Sequence, residues 1–189
     1  MYDAGFFGSR SCLQNKKGVA VMFENYCRFK ELNINSSLIS LESTENLYPY
    51  WCYPVNATPI GLEGCILYCF IEGYDDMVFA SNPETCVDTN VYPLSKNFDD
   101  FLRLILACGS ANPVEQIGWM TKEKFDEHLF NESQNQTDEQ KKVLQIIKEE
   151  FCLLPMENPF SYVKKIQKDF DCSKIEYSDE YYEILGIER

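Results

Sequence analysis

The 189-residue chain has one histidine, no pair of cysteines spaced C-x-x-C, and no glycine pattern of the phosphate- or dinucleotide-binding kind; Gly61 and Gly64 stand alone. Each absence removes a class of chemistry. A Ser-His-Asp or Cys-His site has to use His128, which falls in a predicted helix among mixed charges, and no G-x-S-x-G elbow is present. Structural zinc wants paired Cys or His at short spacing, and Cys65 and Cys69 have no second pair. No apolar run is long enough to span a bilayer. Clustered bases are also missing: the net charge is −13, which argues against nucleic acid or an anionic membrane surface as a direct partner. No metal or cofactor is expected.

Nine cysteines are present, an odd number, and several sit in apolar runs where cysteine behaves as a small hydrophobe. The opening MYDAGFFGSRSC has no basic segment followed by an apolar one. The expected compartment is therefore the cytoplasm, with reduced thiols. The Asn-x-Ser/Thr matches at Asn35, Asn56, Asn131 and Asn135 then read as chance.

What is abundant is apolar and aromatic side chain, 45% and 14% of the residues, enough for a substantial core and too much for a disordered chain. The core is expected in residues 59–110. From Cys65 to Ile71 an almost wholly apolar run, too short for a core helix, predicts a strand buried on both faces. Turn residues Gly73–Asp76 and a second run, Met77–Ala80, make a hairpin, which Ser81-Asn82-Pro83 ends. Phe98, Phe101, Leu102, Ile105 and Leu106 then recur at helical spacing, with Asn97 as N-cap, Asp99 and Asp100 in the first turn and Gly109 as the C-terminal stop.

Before this core, Gly18–Phe23 predicts an early strand that Tyr26–Phe29 continues, and Ser37–Leu41 a weaker one. Residues 46–59, aromatic and punctuated by proline, predict a packed loop or edge strand. After the core, Pro113 is expected at the first position of a short helix running through Val114, Ile117 and Trp119, and Thr121 to cap the next, with Phe125, His128 and Leu129 inward. The polar run 131–136 is the best boundary in the chain. Beyond it, Thr137 and Gln140 form a capping box for a helix carrying Val143, Leu144, Ile147 and Phe151. Further helices are expected after Asn158-Pro159 and from Ser178 to the stop at Gly186. The fold class is thus α+β: a mixed, largely antiparallel sheet packed by helices in residues 1–130, and a helical C-terminal extension, 137–189, packed on it.

Acids dominate one window. Between Glu42 and Asp100 ten carboxylates face the single base Lys96. Two adjacent pairs, Asp75-Asp76 and Asp99-Asp100, have the composition of an acid and a base for hydrolysis. Neighbours in a strand point to opposite faces, however, and Asp99-Asp100 is already explained as a helix start.

The segments Gly64–Tyr68, Met77–Asn82, Val91–Ser95 and Asn97–Leu102 resemble the C-terminal half of SUKH-superfamily domains, the Smi/Knr cell-wall-regulator-like proteins, in which a strand pair is followed by an irregular segment and a helix opening F-x-x-F/L-L. The resemblance covers about a third of the chain. The opening helix and Leu-Pro segment usual in the family have no counterpart pattern in residues 1–58. The resemblance implies one α+β domain without catalytic residues: in bacteria commonly an immunity protein that neutralises a toxin domain, often a nuclease, and in fungi a scaffold of cell-wall regulation. An acidic face suits the first role, because a nuclease must be basic to hold phosphates. The expected partner is a basic protein such as a toxin domain, met by Glu72, Tyr74, Asp75, Asp76, Glu84 and Asp88. The alternatives are a scaffold module using Tyr48–Tyr53 or the C-terminal helices, and a carboxylate-dependent hydrolase.

Overall fold

A computed structural model describes residues 23–85 and 90–189. Its centre is a four-stranded antiparallel meander in the order β1 (Ala57–Glu63), β2 (Ile66–Ile71), β3 (Val78–Ser81), β4 (Val91–Ser95). Period-two alternation divides its side chains between two faces, and both are covered. On one face Tyr68, Phe70, Val78, Ala80, Tyr92 and Leu94 pack against α1 (Glu24–Glu31), α2 (Phe98–Cys108) and the helices after them. On the other, Leu67, Cys69, Ile71, Phe79 and Val91 lie under Tyr53 and the chain's late segment, Phe170, Ile175 and Tyr177. Burial on both sides is why β2 reads as a continuous apolar run.

Helix α2 has the ends its sequence specifies. The Asn97 side chain accepts from the Asp100 N–H at 2.8 Å, and Gly109 takes φ 90° while its N–H returns to the Ile105 carbonyl. A side chain at Gly109 would meet only the mobile end of Gln136, so it is the positive φ that calls for glycine here. After α2 come α3 (Ala111–Gln116), α4 (Lys122–Asn135), α5 (Asp138–Glu150), α6 (Pro159–Gln167) and α7 (Asp179–Leu185). Thr121, Thr137 and Ser178 cap α4, α5 and α7 by accepting from the backbone N–H three residues on.

Several expectations are corrected. Of the strand expected at Gly18–Phe23, residues 18–22 lie outside the described residues, and Phe23 is the turn before α1. The expected continuation, Tyr26–Phe29, is helical: Tyr26 and Phe29, three apart, fall on one side of α1 and meet the Phe98 ring edge-on at 5.4 and 5.5 Å. The strand expected at Ser37–Leu41 is a 3₁₀ turn, Ser36–Ile39, because the Asn35 side chain takes the Ser37 N–H and hydroxyl and closes the chain locally. Val91–Ser95 is a fourth strand, not an irregular segment. Pro93 is tolerated there because β4 is an edge. Pro113 is the third residue of α3, which stops at Gln116, short of Ile117 and Trp119. The polar run after Asn131 stays helical through Asn135. In the capping box only half forms: the Gln140 amide donates to the Gly109 carbonyl at 3.1 Å instead of turning back.

Both sheet edges are partly covered. Glu42 and Leu62 exchange backbone bonds of 2.8 and 3.1 Å beside β1, the Tyr26 hydroxyl donates to the Pro59 carbonyl, and the Val55 N–H, just before β1, donates to the Glu176 carbonyl. At β4 the Gln167 amide donates to the Pro93 carbonyl and the Lys96 N–H to the Tyr162 hydroxyl. These bonds leave less of either edge open to strand addition by another chain. Among the described residues no helix is long and apolar enough to cross a membrane.

Candidate functional site

The meander decides which acids meet. The β2–β3 turn carries Glu72, Tyr74, Asp75 and Asp76 at one end of the sheet, and β4 runs to the same end before entering α2, since Val78 pairs with Ser95. Asp76, Asp99 and Asp100 consequently line one open cavity of about 540 Å³ together with Asn25, Asn97 and Arg103. Glu84 does not join them. It lies in the 3₁₀ turn Pro83–Thr85 beyond the other end of β3. At ~3.3 Å per residue, the four residues of β3 hold the two groups at least about 13 Å apart. Asp88 lies outside the described residues.

The carboxylates are not equivalent. Asp100 is held twice, by the Arg103 guanidinium at 3.0 Å and the Tyr162 hydroxyl at 2.6 Å, and its side chain is only 19% exposed. Asp99 accepts from the Asn25 amide at 2.6 Å. Asp75 takes a backbone φ of 54° that the turn imposes. Burial raises the Asp76 carboxyl above its ordinary value, opposed by its own backbone N–H and reinforced by Asp75, Asp99 and Asp100. Arg103 is the one base lining the cavity, and Asp100 holds it. The site is thus a negative concavity with little internal compensation.

A group protonated more readily in the folded chain favours folding at low pH, and that contribution is lost as pH rises from about 4, the ordinary carboxylate value, through the raised one. Ionised Asp76 should therefore cost stability at neutral pH. The variant Asp76→Asn is expected to unfold at higher denaturant than the parent at pH 7, the difference closing near pH 3. Equal midpoints at both pH values would show that the carboxylate is freely solvated.

Tyr74 also has a part within the fold. Its hydroxyl donates to the Asp171 carbonyl at 2.8 Å and accepts from the Lys174 N–H at 2.9 Å, while its ring packs between Phe79 and Phe170. Lys174 also donates to the Gly73 carbonyl at 2.7 Å. The residue ties the late segment to the hairpin.

A second polar cluster escapes sequence reasoning. Glu115 of α3 is fully buried, and its carboxylate accepts from the Asn82 amide (2.8 Å), the Tyr92 hydroxyl, the Trp119 indole (3.2 Å) and the Gln116 amide (2.9 Å). Nothing in the run from Val114 to Ile117 marks this glutamate off from a solvated one. Nearby, Glu63 accepts from the Tyr68 hydroxyl at 3.1 Å, and burial raises its carboxyl. His128 has a buried Nε2 that meets no partner. Burial pushes the Cys108 thiol up to about 12 and Cys69 higher, so neither is a nucleophile. Among the described residues no three of His, Cys, Asp and Glu are placed to hold a metal ion. No protein-family model, curated protein or solved structure matches the chain.

Proposed function

We propose that the chain is a non-enzymatic, cytoplasmic protein-binding domain of SUKH type, an immunity-type inhibitor whose acidic sheet end neutralises a basic, nuclease-like toxin domain. The observation that carries this reading is the gathering of Glu72, Asp75, Asp76 and Asp99 at one end of the sheet, where Asp76 and Asp99 line a concavity whose single base, Arg103, is already paired with Asp100. Such an uncompensated potential steers a cationic surface and disfavours nucleic acid.

The cavity also meets the geometric condition for a carboxylate hydrolase, convergence of acids. It is the weaker reading, because Asp99 and Asp100 are engaged by Asn25, Arg103 and Tyr162, which leaves Asp76 without a free partner for acid–base work.

The test is capture of a partner from lysate at about 50 and about 300 mM salt, a range over which exposed charge pairing weakens markedly. A basic protein released at the higher salt is expected, with toxic nuclease activity that the chain suppresses. The triple variant Glu72→Gln/Asp75→Asn/Asp76→Asn should bind it about tenfold or more weakly, with a flatter salt dependence and no loss of thermal stability. Glu84→Gln, at the far end of β3, should bind like the parent. Unchanged affinity in the triple variant would remove the acidic end from the interface.

A further inference from the structure

Independently of the acidic end, a groove of about 380 Å³ runs between residues 47–59 and the first turn of α7. Its aromatic walls are held in place rather than loose. Tyr53 donates to the Cys65 carbonyl at 2.6 Å and meets Tyr50 edge-on at 5.4 Å. Trp51 lies 5.8 Å from the Tyr181 ring, and its carbonyl accepts from the Ser178 hydroxyl. Yet the groove leaves apolar surface in water: Tyr50 is 45% exposed and the adjacent Tyr48 85%. Held rings lose little freedom when a ligand arrives.

The groove's own chemistry selects its ligand. Strand addition is hindered, because backbone groups of and beside β1 are already bonded to Glu42, Tyr26 and Glu176. An extended ligand is better held here through its side faces than through a hydrogen-bond ladder. A polyproline II segment does this: its backbone makes no internal bonds, its rings slot between aromatic side chains, and its conformation is largely prepaid in entropy. The half-buried Trp51 belongs to the same lining and offers an aromatic surface to such a segment. The lining's one charged residue is Glu180, and no Lys or Arg belongs to it. A hydroxyl-rich sugar would leave its polar groups unpaired against a lining dominated by Leu, Pro, Val and aromatic residues.

We propose that this groove docks a proline-rich segment of a partner protein, with a Lys or Arg of that segment meeting Glu180. The probe is a fluorescein-labelled dodecapeptide of Pro-Pro-Leu repeats ending in two arginines, titrated with the full chain and read by anisotropy. Saturable binding is expected, weakened about tenfold by Trp51→Ala, as for a central aromatic anchor. Because that change also removes the contact with Tyr181, Tyr50→Ala at the exposed rim is the second variant, with a loss of about threefold or more expected. Glu180→Gln should cost about threefold, and the same loss should result when the peptide's arginines become glutamines. The acidic-end variant Asp75→Asn should bind the peptide like the parent, so failure here and failure of the inhibitor reading are separate results. The proposal is overturned by absent binding, by equal binding of a peptide with glycine in place of proline, or by affinity indifferent to both Tyr50→Ala and Glu180→Gln. Saturation of the groove by a glucan oligosaccharide, or by a second copy of the chain in sedimentation, overturns it as well.

Discussion

Replacing Glu115 by leucine is expected to destabilise the chain by about 3–5 kcal/mol, as the loss of one partner from a buried polar constellation does. The donors it serves are not equally exposed to the loss. Trp119 is half exposed and can turn its indole N–H to water, whereas Asn82 and Tyr92 are buried and have no other acceptor of comparable strength. Asn82 in turn shapes the chain as it leaves β3: its N–H donates to the Asn90 carbonyl at 2.7 Å, and its side-chain oxygen accepts from the Glu84 N–H at 3.0 Å. The lesion should therefore appear twice in hydrogen exchange, as a lower global stability and as faster exchange at Asn82 and Thr85. Tyr92→Phe removes one donor and leaves the carboxylate three, so about 1 kcal/mol is expected. Glu115→Gln keeps one acceptor oxygen but turns an amide N–H₂ towards donors, and should fall between the two. Equal denaturation midpoints for Glu115→Leu and the parent would show a carboxylate solvated in solution.

How much of the fold is legible in the sequence depends on whether the cause of each element is local. α2 is legible at both ends because its cap, its first-turn acids, its apolar period and its terminal glycine all lie within one stretch, 97–109. β2 and β3 are legible because burial on both faces leaves an unbroken apolar run. α1 is not: ENYCRFKE is short and charged, and its helix is held in the fold by the aromatic contact of Tyr26 and Phe29 with Phe98, a residue remote in the chain. β1 contains Pro59 and Gly61, which argue against a strand unless an edge position and a bulge are known, and both are present.

The same distinction governs the site. The acids of the β2–β3 turn form a visible run, but the union of Asp76 with Asp99 and Asp100, and their separation from Glu84, come from strand order alone. Tyr74, grouped with the acids by sequence proximity, also fastens the late segment.

That fastening leads to the largest effect expected of any change. A fragment ending at residue 136 should fail to fold as a monomer. It loses Val143, Ile147 and Val163, which lie within the same apolar cluster as Phe101, Leu102 and Ile105, and Ile175, which closes the other face of the sheet. Burial of four such side chains is worth together about 6–12 kcal/mol, at about 1.5–3 kcal/mol each, comparable with the whole stability of a domain. The cut also uncovers Leu67, Ile71, Phe79 and Val91 side by side, an apolar face of the kind that aggregates. The fragment should be insoluble, or lack a cooperative transition and near-ultraviolet dichroism. A second cut after residue 167 separates the two causes: α5 and α6 remain, the first face stays covered, and only Phe170, Ile175 and Tyr177 are lost from the second. That fragment should be compact but markedly less stable, with its Tyr74 hydroxyl released. A soluble 1–136 fragment with a cooperative unfolding transition would instead make residues 137–189 a true appendage, and would move the boundary of the core to the end of α4.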